Sequence, residues 1–286
     1  MSNVKILVCA HKQDYVKSDD IYMPIQAGKA ISNVDLGFQG DDTGDNISEK
    51  NPYYCELTVQ YWAWKNLKDV DYIGLCHYRR YFDLSSMKVN TISDFDLIFN
   101  RYDIILVKLR YFPHSSLFHL TELTTKEDVF ILCNIIKNYF PQYEKVMIDY
   151  LCNNNKLISF NMFIAPKKYF IEYSEWLFSV LSIVENNIKF SEYSRLKRVL
   201  GYMGEVLLPI YCITNKLRIK HCNILSNPNI REKKSLMKNI INRYRFGICF
   251  KLISPFKLKD IMIYDATIVG LEKDGIIPII KEKRER

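Results

Sequence analysis

Three short, almost unbroken apolar runs constrain the fold most: KILVCA (Lys5–Ala10), YIGLC (Tyr72–Cys76) and DIILVK (Asp103–Lys108). A strand with one wet face alternates polar and apolar residues, whereas a strand that is apolar throughout is buried on both faces. Segments of helical period separate these runs. Asn51-Pro52 reads as an N-cap and first helical residue, opening a helix to about Leu67 with Tyr53, Leu57, Tyr61 and Trp64 on one face. Strands that alternate with helices predict an α/β chain with a mostly parallel sheet wrapped by helices.

The rest of the chain continues the pattern. Residues 33–51 are polar, with three glycines and four aspartates, and read as a loop. Helices are expected over Lys126–Tyr139, Tyr169–Glu185 and about Tyr193–Cys212, and strands over Leu157–Pro166 and Leu217–Ile224. At about 150 residues per domain, 286 residues fit one large domain, 1–230, and an appendage, 231–286. No two of the eight cysteines form a CxxC pair. With no signal-type segment before Val4 and no apolar run near the length of a membrane span, a reduced, cytoplasmic, non-spanning protein is expected.

Charge is unevenly placed. Residues 231–286 carry 14 Lys+Arg against 7 Asp+Glu, so most of the formal +8 lies in the tail. The near-neutral remainder has no basic stripe and no nucleic-acid motif, which argues against a polynucleotide partner.

The second apolar run ends in His77-Tyr78-Arg79-Arg80. If the extended form persists, Ile73, Leu75, His77 and Arg79 share a face. The C-terminal ends of strands are the usual ligand edge of such sheets. Guanidiniums cannot shed their charge there, so they need an anion: a carboxylate such as Asp83, or a phosphate gripped by paired hydrogen bonds.

The stretches SEKNPYYCELTVQYWAWKNL and DYIGLCHYRRYF, with GDDTGDNIS, FNMFI and RVLGYMGEVLLPIY, resemble a bacterial family of capsule and exopolysaccharide glycosyltransferases. That family was long catalogued as a domain of unknown function, and its members include candidate galactofuranosyltransferases. The resemblance covers about residues 4–225. It implies a GT-A-like, Rossmann-related α/β fold with a mostly parallel sheet flanked by helices, and a UDP-sugar donor. Enzymes of that fold usually hold the diphosphate through a metal on Asp-x-Asp after a central strand. Here Arg79 and Arg80 stand in that place and can neutralise the leaving group themselves, so no cofactor is favoured. Asp94 and Asp96, expected in a loop, are the alternative site for Mn²⁺ or Mg²⁺; Asp41, Asp42 and Asp45 form a further acidic loop. By the same resemblance His11 and Lys12 would meet the nucleotide, and Asn161 the donor or acceptor sugar.

Inverting glycosyl transfer needs a group to take the acceptor's proton. Glu205, in a mostly apolar helix, leads, unless it simply pairs with Arg195 or Arg198. Asp128 is second, unless it is a first-turn helix charge. His77 could be a base or orient a phosphate. His114, His119 and His221 form no metal spacing. In the tail, Met237, Ile240, Ile241, Tyr244 and Ile248 recur at helical spacing beside Lys234, Lys238, Asn242 and Arg245. This basic, partly helical appendage would suit an anionic membrane surface, peripheral to the inner face of the plasma membrane, where a glycan or lipid-linked oligosaccharide acceptor is held. The alternatives are a non-catalytic scaffold of polysaccharide assembly and, less favoured, a nucleic-acid-binding protein.

Overall fold

The computed structural model describes residues 2–226, 236–253, 267 and 269–276. In chain order the main elements are β1 (Val4–Ala10), β2 (Tyr22–Gln26), β3 (Gln39–Gly40), α1 (Asn51–Tyr54), α2 (Leu57–Asn66), β4 (Tyr72–His77), β5 (Arg80–Phe82), α3 (Ser93–Phe99) and β6 (Ile104–Val107). There follow β7 (Arg110–Tyr111), α4 (Ser116–Leu123), α5 (Lys126–Tyr139), α6 (Glu144–Cys152), β8 (Lys156–Leu157), β9 (Phe163–Pro166), α7 (Lys167–Glu185), α8 (Ser194–Lys197), α9 (Val199–Thr214), β10 (Ile219–Cys222), β11 (Ile224–Ser226) and α10 (Leu236–Ile253). They gather into two compact units, cut differently from a division at residue 230. The first holds Met1–Leu109, Ile158–Phe178 and Asn215–Lys233; the second holds Arg110–Leu157, Ser179–Thr214 and Lys234–Arg286.

The first unit is built on a sheet in the order β10-β6-β9-β4-β1-β2-β3. β1 pairs parallel with β2 and β4, and β10 with β6. The three apolar runs are its central strands, with Ile6, Val8, Leu75, Ile105 and Leu106 at most 1% exposed. Burying such a side chain contributes about 1.5–3 kcal/mol. β9 is the exception: it runs antiparallel between β4 and β6. Its start therefore lies at the sheet edge where β4 and β6 end. Gly74 permits the close packing there, since a Cβ would lie 2.9 Å from the Ile164 side chain and 3.2 Å from the Phe163 carbonyl.

Several expected elements differ, among them the helix over about Tyr193–Cys212, which is divided at Arg198 into α8 and α9. The 51–67 helix is broken at Cys55, whose φ of 53° and ψ of −129° end α1. Asn51 is no N-cap; its Nδ2 bridges the break, donating to the Cys55 carbonyl and to Thr58 Oγ1. The Leu157–Pro166 strand is two separate pieces, because Phe160 and Asn161 take φ of 80° and 48°. The extended form of β4 ends at His77: the chain reverses through Tyr78-Arg79, and His77 pairs antiparallel with Arg80.

The second unit is mainly helical, with α4, α5, α6 and α9 packed on one another and β7 paired with β8. α5 has the bounds read from sequence, opened by a capping box in which Thr125 and Asp128 satisfy each other's backbone. α9 is buried nearly all round, which marks a central helix.

Candidate active site

At the C-terminal end of β4 in the first unit, four side chains from distant parts of the sequence meet. His77 Nε2 lies 2.8 Å from the Phe160 carbonyl. A carbonyl only accepts, so Nε2 carries the proton and Nδ1 is left as the basic nitrogen. Glu56 Oε1 lies 3.9 Å from that Nε2 and accepts a 2.8 Å hydrogen bond from Asn161 Nδ2. Arg80, facing His77 across the hairpin, lies over the Phe160 ring at 4.0 Å. Glu56 is 8% and Asn161 1% exposed, while His77 and Arg80 are half-buried.

The backbone around this cluster is strained. Cys55, directly before Glu56, and Phe160 and Asn161 all have positive φ. Conformations of this kind cost on the order of 1–3 kcal/mol each and collect at functional sites. Here they turn the Glu56 carboxylate and the Asn161 amide onto each other and aim the Phe160 carbonyl at His77. The arrangement can take a proton at His77, hold an acid beside it, and present a guanidinium to an anion. Glu56 escaped the sequence reading, although CELT lies inside the quoted motif. Its only local signal was an acid between apolar residues at a helix start.

The two arginines have different surroundings. Arg79 pairs with Asp14, Nη2 and Nε lying 3.1 and 3.2 Å from Oδ2, and remains 53% exposed. That hydrogen bond holds the Asp14 carboxyl below the usual range. Asp14, not Asp83, is thus the carboxylate at Arg79; Asp83 caps the turn after β5. Tyr78, 4% exposed, is the platform of this rim: His11 meets its ring edge-on at 5.4 Å and Arg79 lies 5.0 Å from its centre. Lys12 is exposed beside it and adds positive charge at Asp14.

The acidic candidates are occupied within the fold. Asp94 and Asp96 lie in the first turn of α3 rather than in a loop. Asp94 accepts from the backbone N–H groups of Asn90 and Thr91, which lower its pKa, and from the Thr91 hydroxyl. Asp96 accepts from Tyr72 and Ser2, with Tyr72 the larger cause of its lowered pKa. Since Tyr72 begins β4, Asp96 stands at the edge opposite His77. Asp41, fully buried, takes four hydrogen bonds: Gly28 N at 2.9 Å, Lys29 N at 3.1 Å, Ser48 Oγ at 2.5 Å and Thr58 Oγ1 at 2.6 Å. Asp45 accepts from the Tyr61 hydroxyl at 3.2 Å.

The remaining candidates lie in the second unit. Glu205 is half-buried on α9; Arg195 donates to the Glu122 carbonyl and Arg198 lies over the Tyr202 ring. Asp128 is committed to its capping box, and burial raises its pKa. The same unit gathers His114, His119 and Glu122, with one ligand atom of each within 4.8 Å of the others. Burial first, then His114, lowers the His119 pKa. All eight cysteines are free.

Comparisons with known proteins agree with this fold. A solved structure of the WbbM bifunctional glycosyltransferase in its apo form superposes with a TM-score of 0.71 at 31% identity, over 80% of this chain. The match takes in 46% of that chain, so the present one spans about half its length. No curated protein matches. The likeness extends to a mostly parallel central sheet flanked by helices, as expected of a GT-A-like α/β fold. Residues 5–216 match the family described as Domain of unknown function (DUF4422), and the chain belongs to that family.

Proposed function

We propose that the chain is a glycosyltransferase that moves a sugar from a UDP-sugar to a surface-polysaccharide acceptor, with inversion. The observation that carries this reading is the convergence of His77, Glu56, Asn161 and Arg80 at the end of a central strand, in a fold shared with a glycosyltransferase. Galactofuranose and galactose are the first donors to test. Arg80, and Arg79 once released from Asp14, neutralise the departing diphosphate, a task that must be done by fixed charge or by a metal. His77 takes the acceptor proton at Nδ1, with Glu56 stabilising the imidazolium that forms. Asn161 orients a sugar hydroxyl, and His11 and Lys12 flank the nucleotide. Glu205 is the rival base, and Asp94 with Asp96 the rival metal site for Mn²⁺ or Mg²⁺. The test is donor hydrolysis and thermal stabilisation by UDP-sugars with EDTA and with added Mn²⁺. Stabilisation that survives chelation is expected; strict metal dependence would sink the arginine reading, and no donor turnover would favour a scaffold.

The acceptor is proposed to be lipid-linked, reached by peripheral attachment to an anionic membrane. No helix among the described residues is long and apolar enough to cross one. α10 turns Ile240, Ile241, Tyr244, Ile248 and Leu252 outward, each more than half exposed. Its opposite side carries Phe246, whose carbonyl accepts from Asn155 Nδ2, and Arg243, which lies over the Tyr111 ring. A water-facing helix ordinarily shows the reverse polarity. The helix contains four cations and no acid, which complements anionic headgroups at about 1 kcal/mol per nearby cation. Of the tail residues read as a polar flank, Lys234 lies outside the described residues. Flotation with vesicles containing an anionic lipid should carry the protein upward, and equal flotation with neutral vesicles would remove the electrostatic part.

A further inference from the structure

The geometry points to a transition-metal site of the zinc type in the second unit, formed by His114 Nε2, His119 Nδ1 and a Glu122 carboxylate oxygen. Glu122 Oε2 lies 3.6 Å from His114 Nε2 and 3.8 Å from His119 Nδ1. Ligands of a tetrahedral ion with bonds of about 2.0–2.2 Å stand roughly 3.3–3.6 Å apart, so the two glutamate pairs need to close by a few tenths of an ångström, while the two imidazole nitrogens are held within 4.8 Å of each other and an ion would draw them together. The donor set of two imidazoles and one carboxylate matches zinc sites that keep a fourth position for water.

The surroundings fix the ligands. His114 Nδ1 lies 3.2 Å from the Ser115 carbonyl, which places the proton on Nδ1 and the lone pair on Nε2. Metal-bound histidines usually make this outer hydrogen bond. His119 and Glu122 are three apart on α4, so they share a helix face. The start of α4 is secured by Ser115 Oγ, which accepts from Phe118 N, and by Ser116 N, which donates to the Asn154 carbonyl. Phe112 packs 4.1 Å from the His119 ring and Phe118 4.8 Å from the His114 ring, so the imidazoles are held by apolar neighbours. Arg195 reaches Glu122 through its backbone carbonyl, which leaves the carboxylate to the histidines. An ion here would clamp the segment before α4 onto the helix. The site is independent of the donor chemistry, because Mg²⁺ and Mn²⁺ on a diphosphate prefer oxygen ligands.

The test uses the full chain, free of affinity tags and treated with chelator. Titration with Co²⁺ should give one equivalent and the visible bands of a four- or five-coordinate ion, and calorimetry with Zn²⁺ should give one site. His114→Ala and His119→Ala should each weaken Zn²⁺ about 100-fold or more and Glu122→Gln about 10-fold, while His221→Ala, outside the cluster, should change nothing. Circular dichroism checks folding; if the alanine variants fail to fold, Glu122→Gln, which keeps the side-chain shape, decides alone. Absence of one-to-one binding, a thiolate-to-cobalt charge-transfer band, or unchanged affinity in Glu122→Gln would overturn the assignment.

Discussion

Two carboxylates of the first unit, Asp41 and Glu56, are nearly equal in burial and opposite in surroundings. Asp41 is enclosed by four donors, which come from the turn after β2, from Ser48 and from Thr58 on α2. Glu56 receives one hydrogen bond, from Asn161, and faces a histidine across 3.9 Å. A buried charge is tolerable only when it is paired or hydrogen-bonded. Asp41 meets that condition completely and ties the loop to the sheet edge. Glu56 meets it less fully, behind strained backbone, and retains capacity for chemistry. Burial alone does not distinguish the two acids; the number and kind of their donors do.

Exchanging the two acids should give opposite phenotypes. Glu56→Gln keeps an amide oxygen for Asn161, so its melting temperature should stay close to wild type while glycosyl transfer falls about 10²–10⁴-fold. Unchanged transfer would remove Glu56 from support of the His77 imidazolium, and His77→Gln and Glu205→Gln would then be assayed to locate the group that takes the proton. Asp41→Ala should lose on the order of 3–5 kcal/mol in chemical denaturation, because four donors lose their acceptor. Any enzyme that remains folded should turn over normally. A stable but inactive Asp41→Ala protein would erase the distinction between the two acids.

The arginines extend the contrast to the hairpin. Arg80→Gln should weaken UDP by about 10–100-fold in a calorimetric titration, the value of a hydrogen bond to a charged group. Arg79→Gln should cost less, since Asp14 already engages that side chain on the exposed rim. Equal losses for UDP and uridine would point to disturbed folding instead of a lost phosphate contact. On α10, Ile248→Glu should reduce vesicle flotation several-fold, and replacing Arg245 or Lys251 by Gln should cost about five-fold each, with less lost for Arg243, which lies over the Tyr111 ring. An unchanged Ile248→Glu protein would place the lipid contact elsewhere.

The smallest effect is electrostatic and lies far from both acids. Arg218 hydrogen-bonds Asp103 through Nη2 at 2.7 Å and Nε at 3.0 Å, and chiefly through these contacts holds that carboxyl below its usual 3.8. A depressed acid contributes stability above its unfolded pKa and loses it as pH falls through the lower folded value. Because Arg218 is largely exposed and solvent screens the pair, the contribution is small. Arg218→Gln should therefore be slightly less stable than wild type at pH 7, and the gap should narrow below about pH 4. A gap that widens in acid would contradict the pairing.

The sequence by itself determined what local chemistry can write. Apolar runs became the central strands, because a stretch without polar alternation can rest only between two covered faces. Thr125 and Asp128 opened α5 at the expected residue, because a capping box satisfies its own backbone. The C-terminal end of β4 could likewise be read as a charged sheet edge.

Tertiary structure alone decided direction, depth and company. Nothing local marks β9 as antiparallel, or puts the chain reversal at Tyr78-Arg79, where Arg80 rather than Arg79 joins His77. In the sequence Asp41 is one acid of a polar loop; its burial comes from donors on two other segments, Gly28-Lys29 and Thr58. Glu56 and Asn161 lie 105 residues apart, and His114 joins His119 and Glu122 only once the preceding segment is set beside α4. Periodicity reports which side of an element is apolar. It carries no information about which distant polar group will be pressed against it when water is removed, and a buried functional group's chemistry is set by that neighbour.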